Sequence, residues 1–499
     1  MTTFEHASIS ASDSELMERF MPLVAPRVIA VAGASTSGNA QGNTFLRQLE
    51  EAGFDGTVVV IHPSATSVDG YAAVPSLADV PETVDYAYVA VPSRSVPALI
   101  ASGAGRVRFA QVISSGFGEG DGVGVDLANE LLRVARETGT RIVGPNSLGT
   151  HSPRGGMSFV GGASAPDGTI SVASQSGGLS VDMIRRGRSL GLDFRSVVSV
   201  GNALDVDPIE LAEYYLADPG TTAIGLYLEY LPDGRRFVDL LRRSAGTKPI
   251  VVLKGGLTAQ GNRAAASHTG AAATDERLWR GLARQFGITL VETMDEYLHS
   301  LLAFQDLARA PRANARDVVL LGNGGGVSVL AADQFARADL AVPPVSDELL
   351  RAAETIPFPP GASVLNPIDL PAGVFASEGG ALCESLLRLV LERDAPGGIV
   401  VHLNLGAMLQ GPVYLAGFRG FLTAALPMLR EHRDQSLPVL VLNSDGSAEA
   451  DELRRSLTSE AREWRIPVVT GFAGAIRILS TLYEHESRML HTEATTSVG

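Results

Sequence analysis

Val28-Ile-Ala-Val-Ala-Gly-Ala-Ser-Thr-Ser-Gly38 is the stretch that decides the fold, because an apolar run rich in β-branched residues passes directly into a glycine-rich turn. The residues after the turn have the spacing of an amphipathic helix. A strand, a tight turn and a helix in this order are typical of a parallel sheet covered by helices. The sequence therefore predicts an α/β fold in which ligands bind at the carboxyl ends of the strands.

The same alternation continues through three consecutive blocks, so we expect three α/β domains. The predicted strands of the first block cover residues 28–32, 57–61, 86–91, 110–114 and 141–143. Those of the second block cover residues 169–173, 196–200, 224–228, 249–253 and 288–291, and those of the third cover 317–321, 398–402, 438–442 and 467–470. We predict domains at 1–155, 156–311 and 312–485, followed by a disordered tail at 486–499.

Length and composition limit the classes of function. The chain has 499 residues, of which 45% are hydrophobic and 19% charged, as expected of a folded globular protein. A net charge of −15, without a cluster of Lys and Arg, argues against nucleic acid as a partner. The single cysteine, Cys383, cannot form an intramolecular disulfide. Because the N-terminal residues do not resemble a signal peptide and no apolar run reaches the ~20 residues of a membrane span, we expect a cytoplasmic protein.

Glycine-rich turns follow the strands of the first block. The first of them, Gly33-Ala-Ser-Thr-Ser-Gly38, is placed to bind a diphosphate at the start of a helix. Further turns follow at Val91-Pro-Ser-Arg94, Ser114-Ser-Gly-Phe-Gly-Glu119 and Gly144-Pro-Asn-Ser-Leu-Gly149. These turns would form a groove for an elongated nucleotide if they meet at one edge of the sheet. The alternative, that Gly and Pro only end the strands, stays open.

The second block opens with Ser174-Gln-Ser-Gly-Gly-Leu-Ser180, directly after a strand and before a helix. Two hydroxyl groups and the free N–H groups of a helix start suit a phosphoryl group. Capping the helix would require only one of those hydroxyls. We therefore favour phosphate binding at this turn over a purely structural role.

His268 has an unusual setting among the histidines. It follows the strand that ends at Lys254-Gly255-Gly256, in a run of small residues that predicts a loop, and it is flanked by Ser267, Thr269 and Gly270. Imidazole is a nucleophile at neutral pH and can carry a phosphoryl group, provided that a carboxylate orients the ring. Glu229, at the end of another strand of the same block, is placed to do this, although an ordinary solvated acid is the alternative. We predict no metal site, because neither H-E-x-x-H nor C-x-x-C nor a carboxylate cluster occurs.

These motifs, in this order, resemble the NDP-forming acyl-CoA synthetases, the group related to the alpha subunit of succinyl-CoA synthetase. The first block resembles the Rossmann-like CoA-binding domain of that family, and the other two resemble its flavodoxin-like ligase domains. The third block shows this through Gly322-Asn-Gly-Gly-Gly326 and Asn366-Pro-Ile-Asp-Leu370. The run from Lys254 to Gly270 is the most specific part of the resemblance.

The resemblance implies roles for particular residues. His268 would be the phosphorylated histidine and Glu229 its partner, and the phosphate would be bound by Ser174, Gln175, Ser176, Gly177 and Gly178. Coenzyme A would be bound as a substrate by residues of the first block, namely Gly33, Ser35, Thr36, Ser37, Gly38, Pro63, Pro92, Ser93, Ser114 and Gly116.

The sequence departs from the family pattern in three places. Ser147 replaces the cysteine that is common in the Gly144-Pro145-Asn146 turn, and Ser64 replaces a lysine after His62-Pro63. No segment resembles the ATP-grasp domains that bind ATP or ADP and Mg²⁺, so we expect these on a partner beta chain, with a homo-oligomer as a further possibility.

The predicted function is that of an alpha-type subunit, which interconverts acyl-CoA, phosphate and ADP with carboxylate, CoA and ATP through an acyl phosphate and a phosphohistidine. Two alternatives stay open: a CoA or acyl transferase that uses no nucleotide, and a non-catalytic CoA-binding regulatory subunit. The acyl group and the direction of the reaction do not follow from the residues.

Overall fold

The computed structural model describes residues 11–118, 122–162, 166–245, 247–269, 275–305 and 316–496, except for the side chains of 266–269 and 491–496. The chain divides into two compact units, the first formed by Met1–Gly187 and Leu192–Tyr297 and the second by Arg188–Gly191 and Leu298–Gly499. The α/β class and the succession of three parallel-sheet blocks are confirmed.

The first unit contains two sheets. Its strands are β1 Val28–Ala32, β2 Thr57–Ile61, β3 Ser67–Val68, β4 Tyr71–Val74, β5 Val84–Val89, β6 Val107–Val112, β7 Arg141–Val143, β8 Thr150–His151, β9 Ile170–Ser174, β10 Phe194–Ser199, β11 Ala223–Leu228, β12 Ile250–Lys254 and β13 Thr289–Val291. Its helices are α1 Ala11–Val24, α2 Gln41–Ala52, α3 Val96–Ser102, α4 Gly122–Thr138, α5 Gly177–Ser189, α6 Pro208–Ala217, α7 Gly234–Ser244, α8 Ala259–Thr269 and α9 Glu276–Phe286.

The strand orders place the glycine-rich turns at common edges. The first sheet has the order β3-β4-β2-β1-β5-β6-β7 and the second the order β13-β12-β11-β9-β10-β8. Adjacent strands are parallel except in the β3–β4 and β8–β10 pairs. Three short strands of this unit, β3, β4 and β8, were not predicted, because they lack a β-branched run long enough to stand out from the sequence.

The two sheets of the first unit share one hydrophobic core. It includes Ile29 and Phe109 from the first sheet, Val198 and Ile224 from the second, and Tyr214 of α6. The predicted domain boundary at 155 therefore lies within one compact unit, just after a strand, β8, that pairs with the second sheet. The boundary at 311 lies outside the described residues, and the domain limits stay predictions.

Gln111 joins the two sheets through a buried network of hydrogen bonds. Its Nε2 donates to Ser147 Oγ at 2.8 Å and to Ser199 O at 2.9 Å, and its Oε1 accepts from Thr150 Oγ1 at 3.1 Å. Because Gln111 belongs to β6 and Ser199 to β10, the side chain spans from one sheet to the other. Ser147 also donates to Val112 O at 2.7 Å, so the serine that replaces a cysteine has a structural role.

An ion pair reinforces this junction. Arg141 at the start of β7 donates to both carboxylate oxygens of Glu210 in α6, at 3.0 and 2.7 Å, and its Nε donates to Asp205 at 2.9 Å. Glu210 is buried. Two parallel hydrogen bonds join the guanidinium to the carboxylate. This bidentate geometry fixes the angle of α6 against the first sheet as well as its position.

The second unit contains one parallel sheet of order β15-β14-β16-β17-β18. Its strands are β14 Val318–Gly322, β15 Ile368–Asp369, β16 Gly398–Asn404, β17 Leu437–Asn443 and β18 Val468–Val469. Its helices are α10 Met294–Gln305, which begins in the first unit, α11 Gly325–Arg337, α12 Asp347–Ala353, α13 Ala372–Ala376, α14 Ala381–Leu389, α15 Leu405–Met408, α16 Pro412–Glu431, α17 Ala448–Glu463 and α18 Phe472–Thr496.

Two helices of this unit bear on the sequence predictions. Helix α16 is the one helix of the described residues that is long and apolar enough to cross a membrane, but Phe418, Phe421 and Leu426 on it are buried in the core of the unit. Helix α18 continues to Thr496, so most of the tail predicted to be disordered from residue 486 is helical.

We predict that Gln111→Leu lowers the free energy of unfolding of the first unit by roughly 2–4 kcal/mol, because it leaves several buried polar groups without a partner. The measurement is urea unfolding followed by circular dichroism. Gln48→Leu, on a half-exposed position of α2, is the control and should change the stability little. Equal stability of Gln111→Leu and the wild type would show that the network does not hold the sheets together.

Candidate functional site

The carboxyl edges of the two sheets of the first unit meet at the turns after β7 and β10. Asn202 N donates to Pro145 O at 2.9 Å and Leu204 N donates to Gly144 O at 3.1 Å. Gly201 has a φ of +49°, and a Cβ on it would lie 2.2 Å from Pro145 O. Only glycine permits the two backbones to approach this closely, so ligands bound at the two edges would lie side by side.

Asn202 connects further loops at this junction. Its Nδ2 donates to Phe117 O at 3.2 Å, and its Oδ1 accepts from Asn146 Nδ2 at 3.3 Å. Its carbonyl oxygen accepts from Tyr230 Oη at 2.7 Å, and burial raises the pKa of that tyrosine to about 12. Tyr230 therefore stays a donor at neutral pH, and the loop after β11 is fixed to the loop after β10.

The turn at Ser174–Gly178 lies between β9 and the N-terminus of α5, as predicted. Both serine hydroxyls are engaged with the backbone: Ser174 Oγ bonds to the N–H and C=O of Ser176, and Ser176 Oγ caps the N–H of Leu179 at 3.3 Å. The first N–H groups of α5 have no partner within the helix. A Cβ on Gly178 would meet no atom within 4 Å. An anion can thus approach the backbone of Gly178.

Gln175 combines a structural bond with an unused donor. Its Oε1 accepts from Glu229 N at 2.6 Å and from Tyr230 N at 3.1 Å, which defines the orientation of the carboxamide. Its Nε2 is buried and has no hydrogen-bond partner, and the residue is only 7% exposed. Leaving such a donor unpaired costs about 1–3 kcal/mol. An acceptor brought by a ligand would recover this cost.

Glu229 directly follows β11, at the edge where the sequence predicts it. Its carboxylate accepts from Tyr227 Oη at 3.2 Å. Burial, and then the neighbouring carboxylate, raises the pKa of Tyr227 well above its usual value, so the phenol stays protonated. A half-buried carboxylate with one fixed donor retains acceptor capacity for a second donor, such as an imidazole N–H.

Lys254 is a residue of this edge that the sequence analysis did not assign to the site. It is the last residue of β12, is 4% exposed, and donates from Nζ to Glu229 O at 2.8 Å and to Gly255 O. Its Nζ also lies 5.8 Å from the centre of the Trp279 ring. Burial lowers its pKa to about 8, against the opposing effect of Glu229. The signal in the sequence is a lysine that closes an otherwise apolar strand.

His268 lies near the end of α8, Ala259–Thr269, and its side chain lies outside the described residues. The prediction of a loop around it was wrong. Ala264, Ala265 and Ala266 are strong helix formers, and Thr258 Oγ1 caps the helix by accepting from Gly261 N at 3.1 Å. The small residues therefore form a helix that follows the Gly255–Gly256 turn.

The predicted diphosphate turn of the first sheet has a fixed backbone. Gly33 has a φ of +99°, and a Cβ on it would lie 2.3 Å from Ala90 O, so only glycine fits. Buried Asn43 holds the loop by accepting from Ser35 N at 2.9 Å and from Ala40 N at 3.1 Å. Ser35 Oγ lies 2.8 Å from Ser37 Oγ. Thr36 and Ser37 are exposed at the loop's tip, close to the start of α2.

The structure brings together some of the other CoA candidates. Ser114 Oγ donates to Val91 O, next to Pro92, and a Cβ on Gly116 would lie 3.4 Å from Ser93 Oγ. These residues follow the adjacent strands β5 and β6. Pro63 lies apart from them in the exposed turn after β2, where His62 Nδ1 accepts from Ala65 N at 2.9 Å. Among the described residues, no group of three or more His, Cys, Asp or Glu could hold a metal ion.

Known protein families match both sheets of the first unit. A family model described as a CoA binding domain matches residues 27–153, and one described as a succinyl-CoA ligase like flavodoxin domain matches residues 167–304.

Curated relatives extend the match over most of the chain. The alpha subunit of ADP-forming acetate–CoA ligase I from Pyrococcus furiosus is 32% identical over 92% of this chain and 96% of its own length. The ADP-forming acetate–CoA ligase I of Archaeoglobus fulgidus is 33% identical over 71% of this chain, which spans only 50% of that longer relative.

A solved structure agrees with these relatives. The dinucleotide forming acetyl-coenzyme A synthetase 1 of Ca. Korarchaeum cryptofilum, in complex with phosphate and ADP, matches with a TM-score of 0.80 and 29% identity over 95% of this chain and 98% of that chain. The chain therefore belongs to the ADP-forming acyl-CoA synthetases and is an alpha-type subunit of that family of acid–thiol ligases.

Proposed function

We propose that this chain converts acyl-CoA and phosphate into a carboxylate, CoA and a phosphorylated His268, and that the phosphoryl group then passes to ADP on a partner chain. The observation that carries the proposal is the buried, unpaired Nε2 of Gln175 beside the N-terminus of α5. It is a donor without an acceptor at a turn that suits a phosphoryl group. The reaction is reversible, and ATP then drives the formation of acyl-CoA.

The first step is attack of a phosphate oxygen on the thioester carbonyl. The C–S bond breaks, the thiolate of CoA leaves, and an acyl phosphate forms. The N–H groups at the start of α5 and the Nε2 of Gln175 would hold the phosphate oxygens through both the attack and the next step. The Ser174 hydroxyl would shape the turn, since it donates to and accepts from the Ser176 backbone. The Ser176 hydroxyl accepts from Leu179 N, so its proton would be free to contact a phosphate oxygen.

In the second step, a ring nitrogen of His268 attacks phosphorus. The bond between phosphorus and the acyl oxygen breaks, and the carboxylate leaves with that oxygen. Glu229 would accept from the other ring nitrogen, which sets the tautomer and stabilises the positive charge that develops on the ring. Its carboxylate oxygens have one described donor, the Tyr227 hydroxyl, and so have room for this bond.

The CoA residues of the proposal lie along the carboxyl edge of the first sheet. The exposed hydroxyls of Thr36 and Ser37 and the N-terminus of α2 suit the diphosphate. Ser93, Ser114 and Gly116 would contact the part of CoA closer to the thioester, because their turns lie next to Asn146 and hence to the second sheet. Pro63 would contact CoA at the outer end of the groove.

The nucleotide and Mg²⁺ belong, in this proposal, to an ATP-grasp beta chain. Support comes from the relatives, which include separate alpha subunits that this chain matches nearly end to end and a longer ligase of which it spans half. Catalysis would take place in the cytoplasm, where a single, buried Cys383 stays reduced. Relatives named for acetate, 4-hydroxybutyrate and trans-ferulate leave the acyl group open.

We predict that the wild-type chain takes up label from ³²P-phosphate when acetyl-CoA is present, and that His268→Ala does not, because its nucleophile is absent. The measurement is label retained on the protein under alkaline conditions, which preserve phosphohistidine. His432→Ala, at the end of α16 in the second unit, is the control and should be labelled like the wild type. Equal labelling of His268→Ala and the wild type would contradict the proposal.

We predict that Gln175→Glu raises the KM for phosphate at least about tenfold, equivalent to about 1.4 kcal/mol, and leaves the Kd for CoA unchanged. The carboxylate retains acceptors for Glu229 N and Tyr230 N but presents a negative charge where the wild type has a donor. Gln435→Glu makes the same charge change at an exposed position of the second unit and serves as the control. An unchanged KM for phosphate would mean that Gln175 does not face the phosphate.

A further inference from the structure

A lysine lies near each end of strand β12, and each of the two donates to a pair of main-chain carbonyl oxygens. Lys248, just before the strand, donates to Tyr215 O at 3.0 Å and Asp218 O at 2.6 Å. Lys254, its last residue, donates to Glu229 O at 2.8 Å and to Gly255 O. Burial lowers the pKa of each to about 8. The two lysines differ in place, since Lys248 lies at the amino edge of the sheet and Lys254 at the carboxyl edge, where the candidate site is.

The main chain of Glu229 is held on both sides of its Cα. Its N–H donates to Gln175 Oε1 at 2.6 Å, and its C=O accepts from Lys254 Nζ at 2.8 Å. With both peptide groups fixed, the direction in which the Glu229 side chain leaves the backbone is fixed as well. A carboxylate that must meet an imidazole within hydrogen-bond distance requires this kind of support.

The same ammonium also fixes the start of the segment that carries His268. Its second acceptor, Gly255 O, is the first carbonyl after β12, and Gly255 is followed by Gly256, which has a φ of +75°. Helix α8 begins shortly afterwards, at Ala259. Lys254 thus bonds at once to the residue proposed to orient the histidine and to the turn that leads to the histidine.

We propose that Lys254 is the positioning residue that sets Glu229 in register with the chain segment carrying His268. The inference rests on the proposed function, because it gives Lys254 a role only through those two residues. The ammonium contacts main-chain oxygens and not the phosphoryl group. Its loss would therefore slow the transfer of phosphate to His268 and leave CoA binding unchanged.

The test compares Lys254→Met with Lys248→Met. Each variant removes one ammonium that bonds to two carbonyl oxygens, and each retains an apolar side chain of similar length. We expect Lys254→Met to take up label from phosphate and acetyl-CoA about tenfold to a hundredfold more slowly than the wild type, because a misplaced Glu229 no longer orients the ring. We expect Lys248→Met to be labelled within about twofold of the wild-type rate, with equal affinity for CoA in all three proteins.

The outcomes separate this inference from the proposed function. Wild-type protein that takes up no label overturns both. If the wild type is labelled and Lys254→Met is labelled at the same rate, the role of Lys254 alone is overturned. Equal slowing of Lys248→Met also overturns it, because loss of either ammonium would then act only through folding.

The pH profile provides a second readout that a merely structural role would not change. Around Lys254, β11 contributes the protonated Tyr227, and Glu229 follows that strand. Helix α9 contributes the uncharged Trp279 ring, and its Arg280 pairs with Glu276 and with Glu292, the residue that follows β13. Above pH about 8 the wild-type lysine loses its charge and one donor, so the labelling rate should fall.

Lys254→Arg keeps its charge at this pH, so its alkaline decline should begin at higher pH than that of the wild type. The ionisation of phosphate itself affects both proteins equally. Superimposable profiles of wild type and Lys254→Arg overturn the proposal. This comparison carries the test by itself where Lys254→Met does not fold, as judged by circular dichroism.

Discussion

The buried carboxamide of Gln111 is the contact on which the architecture of the first unit depends. Gln111 lies on a strand of the first sheet and donates a hydrogen bond to the carbonyl oxygen of Ser199 in the second sheet. Both polar atoms of its carboxamide have a hydrogen-bond partner. A fully satisfied polar group in a core fixes one arrangement, because any sliding of the sheets would leave buried donors and acceptors unpaired. The carboxyl edges of both sheets are thereby brought together, and Gly201 lets their turns touch. A CoA thioester and a phosphate can then lie within reach of one another.

The site uses the same kind of interaction with one difference. Gln175 and Lys254 hold the backbone of Glu229 from two sides, but each costs stability, through an unpaired amide N–H and through a desolvated ammonium. Such costs are typical of sites whose remaining partner comes with the ligand or the reaction. The glycine-rich turn of the second unit, Gly322–Gly326 at the start of α11, differs from the Ser174–Gly178 turn. Its Gly324 N–H already donates to the Asp369 carboxylate, at 2.8 Å. A helix start occupied by an internal carboxylate is a poor place for phosphate.

Much of the fold was predictable, because runs rich in β-branched residues mark buried parallel strands. The strands predicted at residues 28–32, 57–61 and 141–143 have the same limits in the structure. Sequence order also placed Glu229 and the Ser174–Gly178 turn at one edge. The roles of Gln111 and Lys254 could not be predicted, since their partners are distant in sequence and the bonds exist only after the strands pair. The helix at His268 was mistaken for a loop because small residues suit both. The sequence also could not show that the Ser174 hydroxyl is engaged with the backbone of its own turn.

The central claim is that phosphate attacks the acyl group before the histidine takes the phosphoryl group. The most direct measurement is a single turnover of the chain with acetyl-CoA and phosphate labelled with ¹⁸O in all four oxygens, followed by mass spectrometry of the acetate released. If an acyl phosphate forms and its P–O bond breaks, one oxygen of phosphate remains on carbon, so the acetate carries one ¹⁸O atom. Acetate that contains no ¹⁸O would mean that water or another group cleaves the thioester, and would contradict the account.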